Sequence, residues 1–126
     1  MYENELSATI LDIAFEIHKT LGPGLFESVY ESILEFELTE SAGLFVERQK
    51  PMEVNWRDTI LDLGFRCDLI VERSVIIEVK SVEKTQPVHY KQLLTYLRLA
   101  NVKLGLLINF NEVLLKDGIR RVANGL

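Results

Sequence analysis

The stretch Gly64–Ser81, GFRCDLIVERSVIIEVKS, carries two apolar runs, Gly64–Val71 and Val75–Ser81, on either side of the polar loop Glu72-Arg73-Ser74. That pattern is a β-hairpin. Side chains alternate along a strand, so Val75, Ile77 and Val79 share one face and Ile76, Glu78 and Lys80 the other. On the first run Phe65, Cys67, Leu69 and Val71 form one face, and Arg66, Asp68 and Ile70 the opposite one. A three-residue loop sets Val71 against Val75 and Asp68 against Glu78. This register merges the two apolar faces and gathers Asp68, Glu78 and Lys80 together. A slip of one residue would undo both.

Two neighbouring carboxylates repel unless a cation, a proton or a base lies between them. Oxygen ligands of this kind suit a hard ion such as Mg²⁺ or Mn²⁺, which keeps several waters and takes a phosphate oxygen readily. Lys80 on the same face could stabilise charge on a phosphoryl group or help deprotonate a metal-bound water. Taken alone, Glu-x-Lys and Arg-x-Asp also fit the solvent face of an amphipathic hairpin. The flanking VIIEVK weighs against this, because strands so rich in Val and Ile are usually covered on both faces.

Outward from the hairpin the chain reads α-α-β-β-β-α-β. From Asn4 to Leu21 the residues Leu6, Ile10, Ile13, Ala14, Ile17 and Leu21 recur at helical spacing, and Gly22-Pro23 ends the helix. A second helix is expected from Leu25 to Ser41, with Val29, Ile33, Phe36 and Leu34 toward the core, ended by Ala42-Gly43. Phe45–Val54 reads as a strand followed by the turn Asn55-Trp56-Arg57-Asp58. Pro87 suits the first turn of a third helix reaching Ala100, with Tyr90, Leu93, Leu94 and Leu97 as its apolar stripe. Leu104–Phe110 is a buried strand and Val113–Lys116 a short further one.

A chain of 126 residues, 48% of them hydrophobic, is expected to form one domain, 1–126, around one core. Charged residues interrupt every apolar run before the ~20 residues of a membrane span, so no membrane association is expected. The acidic start MYENELSATI is unlike a secretory signal, and a single cysteine fits a reducing compartment. A cytoplasmic location is the expectation. A net charge of −5 argues against coating nucleic acid by bulk attraction. Any phosphate contact must be local, and Arg120 and Arg121 with Lys103 and Lys116 are the local basic cluster on offer.

Asp68 followed by Glu78-Val79-Lys80, preceded by an N-terminal helix and leading into a helix with Gln92 and Tyr96, resembles the PD-(D/E)XK nuclease superfamily. Within it, Gly24-Leu-Phe-Glu27-Ser-Val-Tyr30 is similar to the signature of the GxxExxY protein family, as are GFRCDLIVE, PVHYKQLLTYL and GLLINF. The resemblance implies a restriction-endonuclease-like α/β core, with a mixed central sheet between helices. It implies a nuclease that hydrolyses phosphodiester bonds with Mg²⁺ or Mn²⁺. Asp68, Glu78 and Glu27, with the Val79 carbonyl, would hold the metal, and Lys80 would be the catalytic lysine. Gln92 and Tyr96, four residues apart on one helix face, and Tyr30 would line the site. The proline that the superfamily places before its first Asp is replaced by Cys67.

The substrate so implied is nucleic acid, DNA before RNA, and a homodimer would supply surface that so small a domain lacks. The alternative is a catalytically silent module on the same fold that binds nucleic acid or protein. A paired-carboxylate glycoside hydrolase is a third reading, disfavoured by the lysine between the acids. Tyr30 is also read as a packed aromatic with a bonded hydroxyl, and His89 as an ordinary histidine within reach of Gln92. Glu27 has a second reading of its own. With Gly24 as the N-cap it would stand at the third helical position, where a glutamate caps the helix and favours its dipole.

Overall fold

The computed structural model describes residues 2–126. Its central hairpin joins strand β2 (Thr59–Val71) to β3 (Val75–Lys80) in the expected register, Val71 opposite Val75, then Ile70 with Ile76 and Leu69 with Ile77. At the connection Glu72 and Arg73 both adopt left-handed backbone, φ 52° and 53°, which residues with a Cβ rarely do. The Glu72 carboxylate secures that turn by accepting the Phe45 amide at 2.6 Å and the Tyr2 hydroxyl at 2.8 Å.

Strand β1 (Val46–Trp56) pairs antiparallel with β2 through a tight turn at Arg57-Asp58. Beyond β3 the chain crosses over through helix α3 (Pro87–Ala100) to β4 (Leu104–Asn109), which runs parallel to β3. A parallel pair requires such a crossover. Pro87 starts α3, and Asn101 ends it in left-handed backbone. With a fifth strand, β5 (Ile119–Ala123), the strands lie in the order β1-β2-β3-β4-β5, and because only β3 and β4 pair in parallel the sheet is mixed.

Helices α1 (Tyr2–Leu21) and α2 (Glu27–Phe36) cover one face of the sheet. There Ile10, Ala14, Tyr30 and Leu34 pack on Leu69, Val71, Ile77, Leu106 and Ile108. Helix α3 covers the other face, where Leu93 and Leu97 pack on Ile70, Ile76 and Leu107. Every residue of β4 and all but Lys80 of β3 are buried, as befits the parallel pair at the centre of the sheet.

Four expectations are corrected. Helix α2 begins at Glu27, and after Phe36 the chain continues to Ser41 as a π-helical turn, Ala42 donating to the Glu37 carbonyl at 3.1 Å. The side of α2 that enters the core is Tyr30, Leu34 and Leu38, while Val29 and Phe36 face solvent. Val113–Lys116 is not a strand. Residues Leu115–Gly118 form a 3₁₀ turn, and Ile119–Ala123 is a fifth strand, β5, antiparallel to β4. Its paired arginines, Arg120 and Arg121, interrupt the apolar alternation by which a strand is recognised. Finally, Cys67 packs with Ile70 and Ile76 on the α3 side rather than with Leu69 and Val71. The facing of β2 inverts at Asp68.

Helix α3 lies close on the sheet because β4 presents Gly105 to it. A Cβ there would stand 2.9 Å from Leu93 Cδ1 and 3.0 Å from Leu93 Cγ, inside van der Waals contact with a fully buried side chain. Gly105→Ala is therefore expected to lower the unfolding free energy by about 1–3 kcal/mol, the usual effect of overpacking. Urea denaturation measures it. Unchanged stability would show that α3 can shift without loss.

Candidate functional site

The β2–β3 ladder ends at Leu69 and Ile77, and the two carboxylates take over where it stops. The Asp68 amide donates to Glu78 Oε2 at 2.8 Å, and the Val79 amide donates to Asp68 Oδ2 at 2.8 Å. Each acid thus holds the backbone of the other's strand. Glu78 is only 7% exposed. Burial, and then the Asp68 charge beside it, push its carboxyl up to about 8. Asp68 is raised by burial as well, partly offset by the Val79 amide. Lys80, half-buried at the end of β3, favours the ionised form of both. The same burial pushes the neighbouring Cys67 thiol up to about 12, with Glu78 adding to it.

Behind Asp68 lies a support that the motifs do not reveal. Between the paired steps Arg48 with Leu69 and Lys50 with Cys67, Gln49 turns into left-handed backbone, φ 50°. Its side-chain amide donates to Asp68 Oδ1 at 3.1 Å and to Glu31 Oε1 at 3.0 Å. Glu31, on the core-facing side of α2 and 5% exposed, is also bound by Arg48 Nε at 2.6 Å. A bonded chain therefore runs from α2 through β1 to Asp68. Nothing in the spacing of VERQKP marks it, and only a glutamate one turn after Glu27 hints at a second acid.

Glu27 does not cap its helix. The N-cap is Phe26, so Glu27 is the first helical residue, and its Oε2 accepts the Ser81 amide at 3.1 Å. Ser81 Oγ donates in turn to the Leu25 carbonyl at 2.5 Å. The Gly-Pro-Gly break thus brings the start of α2 to the residue immediately after Lys80. Asn109, fully buried on β4, braces the same segment by accepting the Val82 amide and donating to the Val82 carbonyl. A lone asparagine at the end of an apolar run was its one sequence signal.

Tyr96 of α3 stacks on Phe65, ring centres 4.1 Å apart, and burial followed by the Glu78 and Asp68 charges pushes its phenol up. Its hydroxyl therefore belongs to the carboxylates' surroundings, while Gln92 is exposed one turn earlier. Tyr30 is placed in the core, stacked on Phe110 at 4.5 Å, its hydroxyl donating to the Gly22 carbonyl and accepting the Leu25 amide. It shapes the break before α2 rather than facing the acids. His89 accepts the Gln86 amide through Nδ1 at the start of α3. The basic cluster is divided: Arg120 lies over the Tyr90 ring and Arg121 bonds Asn4.

The donors so assembled are two carboxylates, with a lysine beside them. Among the described residues no group of three or more His, Cys, Asp or Glu side chains is arranged to hold a metal ion. Glu27 is engaged at Ser81, and Glu31 by Arg48 and Gln49. Mg²⁺ commonly binds through one or two carboxylates and keeps several waters. An all-oxygen pair that is buried and short of positive charge fits that demand.

The crystal structure of SSO0001 superposes with a TM-score of 0.53 at 22% identity, covering 79% of this chain and 50% of that one. An alkaline exonuclease (LHK-Exo) from Laribacter hongkongensis superposes with a TM-score of 0.52 at 16% identity, covering 77% of this chain and 56% of that one. The chain spans about half the length of these solved structures, and at such identities the likeness is one of fold. No curated protein matches the sequence. No helix among the described residues is long and apolar enough to cross a membrane. The sequence model of the PD-(D/E)XK nuclease superfamily matches residues 4–122, a span that includes every side chain of the site, and the chain belongs to that superfamily.

Proposed function

We propose that this protein is a divalent-metal-dependent nuclease that hydrolyses phosphodiester bonds of nucleic acid, DNA before RNA, and that it is of the GxxExxY kind. The observation that carries this reading is the buried Asp68–Glu78 pair, locked to the backbone, with Lys80 beside it in a chain of a nuclease superfamily. Asp68 and Glu78, with the Val79 carbonyl and Glu27, are the residues that would hold Mg²⁺ or Mn²⁺. When bound, such an ion supplies Lewis acidity at a phosphoryl oxygen and acidifies a bound water. Lys80 contributes a positive charge where negative charge develops on phosphorus. Tyr96 and Gln92 present hydrogen-bonding groups on the α3 side of the substrate. Gln49, held by Glu31, restrains Asp68 in the position this requires.

A second reading is a binding module without cleavage. It draws on the finding that, among the described residues, no three acidic side chains are gathered at one point. One assay separates the two readings: a panel of single-stranded, duplex and branched DNA and RNA with Mg²⁺ or Mn²⁺, run beside EDTA. Metal-dependent cleavage is expected from the parent and none from Lys80→Ala, whose melting temperature should stay near the parent's because Lys80 lies outside the apolar core. Equal cleavage by the variant would remove the catalytic role. Binding without cleavage by the parent would favour the module.

The pair also sets a pH dependence. Glu78 titrates in the folded protein at about 8, against an ordinary carboxylate value of 4.5. Between those values the folded state keeps a proton that the unfolded chain has lost, so stability falls as pH rises across this window. In EDTA the melting temperature should drop from about pH 5 to pH 8, and Glu78→Gln should flatten the slope. Mg²⁺ added at the upper end should raise the parent's melting temperature and leave that of Glu78→Gln unmoved. A flat parent profile with no response to metal would remove the cation from this site.

Glu27 can be tested separately. Glu27→Gln keeps an oxygen to accept the Ser81 amide, so stability should change by less than about 1 kcal/mol. Removing the charge should weaken Mn²⁺ binding, measured by calorimetry. Unchanged affinity would leave Glu27 as a tether between α2 and the end of β3.

A further inference from the structure

Helix α2 is apolar on two sides. Tyr30 and Leu34 enter the core, whereas Phe26 (83% exposed), Val29 (37%) and Phe36 (59%) face solvent with Ile33 half-buried among them. The outward residues are spaced three, four and three apart. That is the a/d repeat by which one helix seats another. Exposed apolar groups of this size along one side of a helix mark an interaction surface. Beside the stripe, Ile13 and Ile17 of α1 and Ile33 of α2 floor an open groove of about 560 Å³, rimmed by Asp12, Glu16 and Glu37. None of Asp68, Glu78 or Lys80 lines it.

Charge selects the occupant. The residues that line the groove include three carboxylates, Asp12, Glu16 and Glu37, and no Lys, Arg or His. A second copy docked across a two-fold axis would set this surface against itself and bring like charges together. We propose that the α1–α2 face is a docking groove for an amphipathic helix of another protein, with apolar residues at a and d and Lys or Arg along its flanks. Such a partner inserts its apolar seam beside Ile33 and Phe36 and sets its cations against the carboxylate rim. The inference is independent of the nuclease reading, because the groove and the carboxylate pair share no residue.

The test uses the whole chain and two synthetic helical peptides of three heptads, both with Leu at a and d. One carries Lys at e and g, the other Glu. The Lys peptide is expected to bind with a dissociation constant of about 10 μM or tighter, and the Glu peptide at least about tenfold more weakly. Phe36→Lys should weaken the Lys peptide by at least about tenfold. Its exposed position should leave the circular dichroism spectrum unchanged, and if it fails to fold, Val29→Lys carries the same expectation. Three results would overturn the proposal: no binding of the Lys peptide, equal binding of both peptides, or undiminished binding by the folded variant. Sedimentation supplies a fourth. A parent dimer that Phe36→Lys converts to monomer would show that the groove takes a second copy.

Discussion

The site depends on the exchange of hydrogen bonds between Asp68 and Glu78 where the β2–β3 ladder stops. Two strands that part inside a protein leave amides without partners, and an unpaired buried amide is destabilising. Here side-chain oxygens take up the Asp68 and Val79 amides, so the strands can separate without that loss. The price is two acids side by side in a buried place, where burial and the Asp68 charge hold the proton on Glu78 up to about pH 8. Fold and chemistry are therefore coupled. The groups that close the sheet are the groups that would hold a cation, and Lys80 and the Gln49 amide are the positive counterparts the chain itself provides.

Much of this was legible in the hairpin. Two apolar runs of period two and a three-residue loop leave one register that buries both faces, and it places Asp68 and Glu78 together. Pro87 marked the start of α3, and the long apolar run marked β4. Alternation could not show that β2 changes its facing at Asp68. It assumes regular strands, and at that point a side chain lies along the sheet, bonded to the neighbouring strand, rather than on one of its faces. Helix α2 was misread for a different reason. It carries two apolar stripes of helical spacing, and periodicity alone cannot say which is buried. The tie that decides is distant: the Tyr30 hydroxyl meets Gly22 and its ring meets Phe110.

The residues that no motif disclosed share a feature. Gln49, Glu31 and Arg48 act through bonds between elements far apart in sequence, and their own neighbours in the chain give no pattern. Gln49 is informative here, because its left-handed backbone is what turns its amide toward both Glu31 and Asp68. Strand β5 escaped notice because Arg120-Arg121 break its apolar alternation; the two side chains lie apart, one over Tyr90 and the other at Asn4. What resembled a basic cluster in the sequence is two separate fastenings in space.

The burial of Cys67 gives the molecule a built-in reporter. It is the chain's one thiol, it lies next to Asp68, and it is fully buried with its ionisation pushed up to about 12. The thiolate is the reactive form, so alkylating reagents can act only when β2 swings open and lets water in. The rate of labelling then measures how often the sheet breathes beside the carboxylates, a local opening rather than global unfolding. Any ion or substrate that clamps those acids would slow the labelling. Occupancy of the site can thus be timed through a neighbour that takes no part in its chemistry.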